Sequence, residues 1–243
     1  MAAPMAVGAE MLAIVGACRV QLDAAAWIRA IRIRAARPAS SAARCSHGLP
    51  RQENERKLHA PAACRLDPTP PWSESMDLLP YARTMAAYNR WMNERLHEAC
   101  AQLPDTRRRE DLGAFFKSIH GTLNHLLLAD RVWLGRFTGM PFRAAALDQE
   151  LYAGFAELRV ERERTDAAIE AWSATLTAHD FAGELSYTRI SSPQPVRLPF
   201  WRALVHFFNH QTHHRGQITT LLKQSGIDPG VTDLIAMPAA ELA

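Results

Sequence analysis

Several common kinds of protein are excluded by what this chain has little of. Only four of its 243 residues are cysteine, Cys18, Cys45, Cys64 and Cys100, and no two of them form a CxxC pair. That excludes a disulfide framework or a zinc knuckle, and makes a reducing cytoplasm the expected compartment. No apolar run reaches the roughly 18 residues that a membrane span needs. The short apolar stretch at residues 11–18 follows Glu10 and has no basic segment before it, so a secretory signal peptide is not expected. There is also no HExxH motif. Where a zinc protease would carry its glutamate base, this chain has Gln211.

The positive charge is confined to one end. Residues 1–75 hold ten Lys/Arg and six Asp/Glu, whereas residues 76–243 hold 18 and 19, so the formal net charge of +3 comes entirely from the first segment. The remainder is near neutral, which argues against a nucleic-acid surface. That first segment contains seven prolines and no amphipathic period past Ile33. Three readings fit it: a disordered extension, an Arg- and Ser-rich targeting segment, or upstream sequence translated from a start codon placed too early. The last reading accords with Met76, which directly precedes the first clean helical pattern.

From Asp77 onward the chain reads as four amphipathic helices. Leu78, Ala82, Met85, Ala86, Met92 and Leu96 share one stripe, capped by Ser75 or Asp77 and ending near Pro104. A second helix is expected over residues 109–137, stopped by Thr138 and Gly139. A third is expected over residues 149–178, with Leu158, Ile169 and Trp172 inward and the charged run 157–164 as a solvated face. Residues 184–198 suggest a short hairpin or irregular crossover. Pro199 then opens the fourth helix and Gly226 closes it. The segment from Val231 would cap the bundle end. Four long helices with one long connection describe a four-helix bundle, an architecture that often builds metal sites between facing helices.

The fourth helix carries four of the ten histidines, His206, His210, His213 and His214. With His210 at zero, His214 lies at about +40°, His206 at about −40°, His213 at about −60° and Gln217 at about −20° on a helical wheel. Leu221 continues the stripe, so this face is expected to point inward. Burying so many neutral rings without partners is costly, and metal ligation is the natural resolution. Imidazoles at i and i+4 can reach one ion, and two such pairs exist, His206/His210 and His210/His214. On the second helix His125 falls beside Leu126, Leu128 and Ala129, whereas His120 falls on the other side, toward solvent or an interface. His125 is therefore the candidate third ligand. A three-nitrogen site of this kind leaves at least one coordination position open, as catalytic and ligand-binding metals require.

These segments resemble the DinB family, with the DinB/YfiT-like fold. The matching pieces are YNRWMNERL, SIHGTLNHLLLADRVWLGRF and HFFNHQTHHRGQITTLLKQSG, and the resemblance covers about residues 76–235. It implies an all-α, up-down-down-up four-helix bundle that commonly forms a homodimer. It also implies a three-histidine site with one ligand from the second helix and an HxxxH pair from the fourth, here His125, His210 and His214. His206 and His213 fall outside that pattern and are expected to be pocket residues around the ligands. The implied cofactor is a divalent metal ion, zinc or nickel. The implied chemistry is activation of a low-molecular-weight thiol or water for transfer or isomerisation of a small-molecule substrate. No general base is evident in the motifs, so a non-catalytic metal- or ligand-binding bundle is the competing reading. A dimeric structural protein whose histidines form only a polar core network is the third.

Overall fold

The structure, a computed structural model, describes residues 77–190 and 192–242. The expectations for residues 1–75 lie outside the described residues. Four long helices dominate: α1 (Leu78–Ala101), α3 (Ile119–Thr138), α4 (Phe155–Ala174) and α6 (Phe200–Gln224). Two short helices, α2 (Asp105–Arg109) and α5 (Ala178–Phe181), sit in the connections. The expected hairpin forms from β1 (Glu184–Arg189) and β2 (Ser192–Pro199), antiparallel, with Leu185 opposite Leu198. Two 3₁₀ turns, Leu234–Ala236 and Ala239–Leu242, finish the chain, and the second packs on α1.

Local chemistry sets the helix ends. Asp77 accepts a hydrogen bond from the Leu79 amide at 2.9 Å, and Pro104 lies just beyond the end of α1, where it cannot continue the helix. Ser118 caps α3 by accepting from the Gly121 amide at 3.0 Å, and Gly139 ends it in a left-handed conformation with φ 70°. The second and third helices are shorter than the periodicity suggests. Residues 110–118, with Gly113 and Lys117 at φ 72° and 64°, form a loop, so the expected 109–137 helix begins only at Ile119. The expected start of the third helix at residue 149 moves to Phe155, because residues 151 and 152 give their amides to the Asn124 side chain instead.

Each long helix packs against two others: α1 on α4 and α6, and α3 on α4 and α6. Between them lie Met92, Leu96, Leu126, Leu127, Leu158, Ile169, Phe207 and Phe208, all 1% exposed or less. A buried polar network ties the same four helices together. Arg162 on α4 contacts Asp130 of α3 at 2.6 Å and Asp166 at 2.8 Å. Asp166 also accepts from Asn89 and Asn93 of α1, at 2.8 and 3.0 Å. Gln211 of α6 donates to Asp130 at 3.0 Å, and Arg215 of α6 donates to Asn89. Arg162 thus corrects the expectation of a solvated charge run: its face of α4 turns into the core, where two carboxylates hold it.

Candidate metal centre

The packing of α3 against α6 brings His125 beside His210 and His214. One ligand-capable atom from each of the three rings lies within 4.8 Å of the other two. The Nε2 atoms of His210 and His214 are 3.0 Å apart. His125 and His214 are buried, and His210 is half-buried. Nitrogens on a tetrahedral zinc, with bonds of about 2.0–2.1 Å, stand about 3.3 Å apart, so the cluster fits one ion after small ring movements.

Hydrogen bonds orient two of the rings. The Nδ1 of His125 lies 2.7 Å from the Leu147 carbonyl oxygen, which can only accept. The proton therefore sits on Nδ1, and Nε2 presents a bare lone pair. In the same way His214 Nδ1 donates to Gln217 Oε1 at 2.8 Å, while the Gln217 amide faces His213 Nε2 at 3.3 Å. His214 Nε2 is therefore an acceptor turned toward His210. Burial, followed by the neighbouring imidazoles, lowers the His210 pKa to about 3, and burial lowers that of His214 to about 4. Burial lowers His125 as well. All three rings are neutral near pH 7, the state a metal ligand requires. The donor set and the tautomers together make a group that can hold a metal ion.

Phe116, in the loop before α3, covers the cluster. Its ring stacks on His125 at 3.8 Å between centroids and 16° between planes, and meets His214 edge-on at 5.6 Å. The loop lies so close to α3 that a Cβ on Gly121 would stand 2.2 Å from the Phe116 carbonyl oxygen. No sequence motif points to Phe116 or to the Leu147 carbonyl, because each comes from irregular backbone.

The other two histidines of α6 lie at the margin. The buried residues of this helix, from Phe200 to Leu222, centre about 85° round the wheel from His210. His210 and His214 therefore sit on the edge of the buried face, and His206 and His213 fall beyond it, exposed. This corrects the expectation that the whole arc points inward. His206 still packs on Trp133, 5.0 Å away, and lines a cleft of about 220 Å³ that reaches His125 and His210. His120, expected to face solvent or an interface, is 1% exposed. Its Nε2 lies 3.0 Å from the Tyr152 carbonyl oxygen, because residues 149–154 fold over the side of α3 that periodicity leaves free.

The sequence profile of the DinB family matches residues 75–241, and the chain belongs to that family. It is similar to Protein DinB of Bacillus subtilis (strain 168), with 26% identity over 156 residues, 63% of this chain and 91% of that protein. No solved structure gives a significant match. None of the described helices is long and apolar enough to cross a membrane.

Proposed function

We propose that His125, His210 and His214 bind one divalent metal ion, zinc or nickel, and that the protein is a metal-dependent enzyme. The observation that carries this reading is the convergence of the three ring nitrogens within 4.8 Å, two of them with tautomers fixed by hydrogen bonds, next to an open cleft. A bound divalent ion would supply the Lewis acidity that brings a thiol or water toward its deprotonated form near pH 7. The chain's own groups do the rest. The Leu147 carbonyl and Gln217 hold two imidazoles in the ligating tautomer, Phe116 shields the rings from water, and the cleft admits a small substrate. Among the described residues, the lining of that cleft contains no Asp or Glu, so none of them competes for an open coordination position from that side. The four long helices are read as the up-down-down-up bundle of the family, in a cytoplasmic homodimer, with residues 1–75 as an extension outside the domain.

Metal analysis of the purified full chain tests the first step. The expected result is close to one equivalent of divalent metal per chain, lost in His125→Ala, His210→Ala and His214→Ala, with the helical circular dichroism retained. A wild-type protein that cannot be loaded with metal refutes the site. Metal-dependent consumption of a thiol in the presence of an electrophile then separates an enzyme from a binding protein.

A further inference from the structure

The cleft beside the three histidines is charged on one side only. His125, Ala129, Val132 and Arg136 recur on one face of α3, and Arg136, eleven residues after His125, lies three turns further along, about 16 Å of helix axis. Its side chain folds back over Trp133, with the guanidinium carbon 4.5 Å from that ring and 4.1 Å from the ring of Tyr187 on the hairpin. This guanidinium makes one long hydrogen bond among the described residues, from Nη2 to the Thr188 carbonyl oxygen at 3.4 Å. Arginine carries five N–H donors, so most of them are left for a ligand. Among the described residues no carboxylate pairs with Arg136, nor with exposed Arg189, which lines the same cleft. Other arginines of this chain, such as Arg90, Arg131 and Arg162, have acidic partners. Arg136 is also partly buried, so its charge has lost hydration that no protein anion offsets.

We infer that this cleft takes an elongated substrate ending in a carboxylate, which Arg136 binds through its planar fork while Arg189 adds charge at the rim. The inference rests on the proposed metal reading for the far end of the substrate, where a sulfur or oxygen donor would reach the histidine cluster. Geometry sets the length. Ring-to-ring steps of 5.8 Å from His210 to His206 and 5.0 Å from His206 to Trp133 lead toward the guanidinium. With the last step of 4.5 Å from Trp133 to the guanidinium, a substrate able to touch both ends spans at most about 15 Å. The aromatic faces of Trp133 and Tyr187 keep the fork in place, so little of its freedom is lost on binding a planar carboxylate.

Isothermal titration calorimetry with the metal-loaded full chain tests this, using 6-mercaptohexanoate, its methyl ester, hexanoate and methyl hexanoate. The wild type should bind each acid roughly 10–100-fold more tightly than its ester, the range of a charge-assisted hydrogen bond. Arg136→Gln should bind acid and ester alike while keeping the same metal content, and Arg136→Lys should keep part of the preference. Equal binding of acid and ester by the wild type overturns the proposal without need of any variant, as does a preference that survives in Arg136→Gln. The thiol-free pair separates the two readings. If the protein holds no metal but still prefers hexanoate through Arg136, the carboxylate site stands and the metal site fails. If metal is bound and the preference is absent, the reverse holds.

Discussion

Replacing Arg162 with methionine is the sharpest test of how the four helices are held in register. The guanidinium is 3% exposed and lies between Asp130 and Asp166, whose side chains are 1% and 2% exposed. Methionine fills much of the volume but leaves two buried carboxylates with only amide donors and the more distant Arg215. Removing one partner of a buried ion pair costs about 3–5 kcal/mol, a large part of the ~5–15 kcal/mol that stabilises a typical domain. The sign with pH follows from the carboxyls. Burial already lifts Asp130, and it lifts Asp166 to about 7, while Arg162 pulls both down. Without Arg162 both move further above their unfolded values, so each contributes stability below the unfolded pKa that is lost as pH rises through the folded one. The difference in unfolding free energy between wild type and Arg162→Met should therefore be larger near pH 8 than near pH 5.5. Urea unfolding followed by circular dichroism measures it, and adding Asp130→Asn and Asp166→Asn should recover part of the loss. A cost below about 1 kcal/mol, or one that does not change with pH, would show that the pair is not the electrostatic tie described.

Three further outcomes follow. Gly121→Ala would place its Cβ 2.2 Å from the Phe116 carbonyl oxygen, so it should cost about 1–3 kcal/mol and, by displacing Phe116 from His125, weaken metal binding; an unchanged metal affinity would mean that the stacked ring does not support the ligand. His206→Ala removes a cleft wall but no member of the cluster, so it should lower metal affinity by at most about 10–100-fold, and complete loss of metal would shift the ligand pair to His206/His210. Burial lowers the pKa of His97, 2% exposed, from 6.5 to about 4. Because its folded pKa is depressed, the neutral ring supports folding above about pH 6.5 and that support fades as pH falls toward 4. His97→Leu should flatten this acid limb by up to ~3 kcal/mol in urea titrations, and an unchanged limb would assign the sensitivity to other groups.

The residues that were legible in the sequence are those whose surroundings repeat with the helical period. Ala82, Met92 and Leu96 on α1, and Leu158, Ile169 and Trp172 on α4, sit where their spacing places them, buried. Asp77 caps α1, and the hairpin forms where the period breaks. That His125 would meet the histidines of α6 could be anticipated because buried imidazoles on two helices need shared partners, but the choice of His210 and His214 over His206 and His210 rested on the family resemblance alone. Periodicity fails where a helix has no free side. Sixteen of the 20 residues of α3 are buried, including His120, Asp130 and Arg131, since the chain after it returns across its outer face. It fails again at Arg162, whose charge reads as exposed unless the two aspartates facing it are known. The boundary of the histidine arc depends on where the neighbouring helices centre the buried face of α6, and a single helix does not carry that information.

The hydrogen bond between His125 and the Leu147 carbonyl has a consequence for how the cluster can change. Leu147, 49% exposed, belongs to a surface stretch that contributes no side chain to the histidine cluster. Its neighbours are fixed by Asn124, whose side chain accepts from the amides of Leu151 and Tyr152 at 2.8 and 2.9 Å and donates to the Tyr152 carbonyl oxygen at 3.1 Å. A main-chain oxygen cannot be substituted away, but it can be displaced. An insertion or deletion between Phe142 and Gln149 would swing that oxygen off His125 and free the ring to adopt its other tautomer. Relatives could in this way drift in ion preference or affinity while all three imidazoles stay in place, so the three histidines alone do not define what such a site binds.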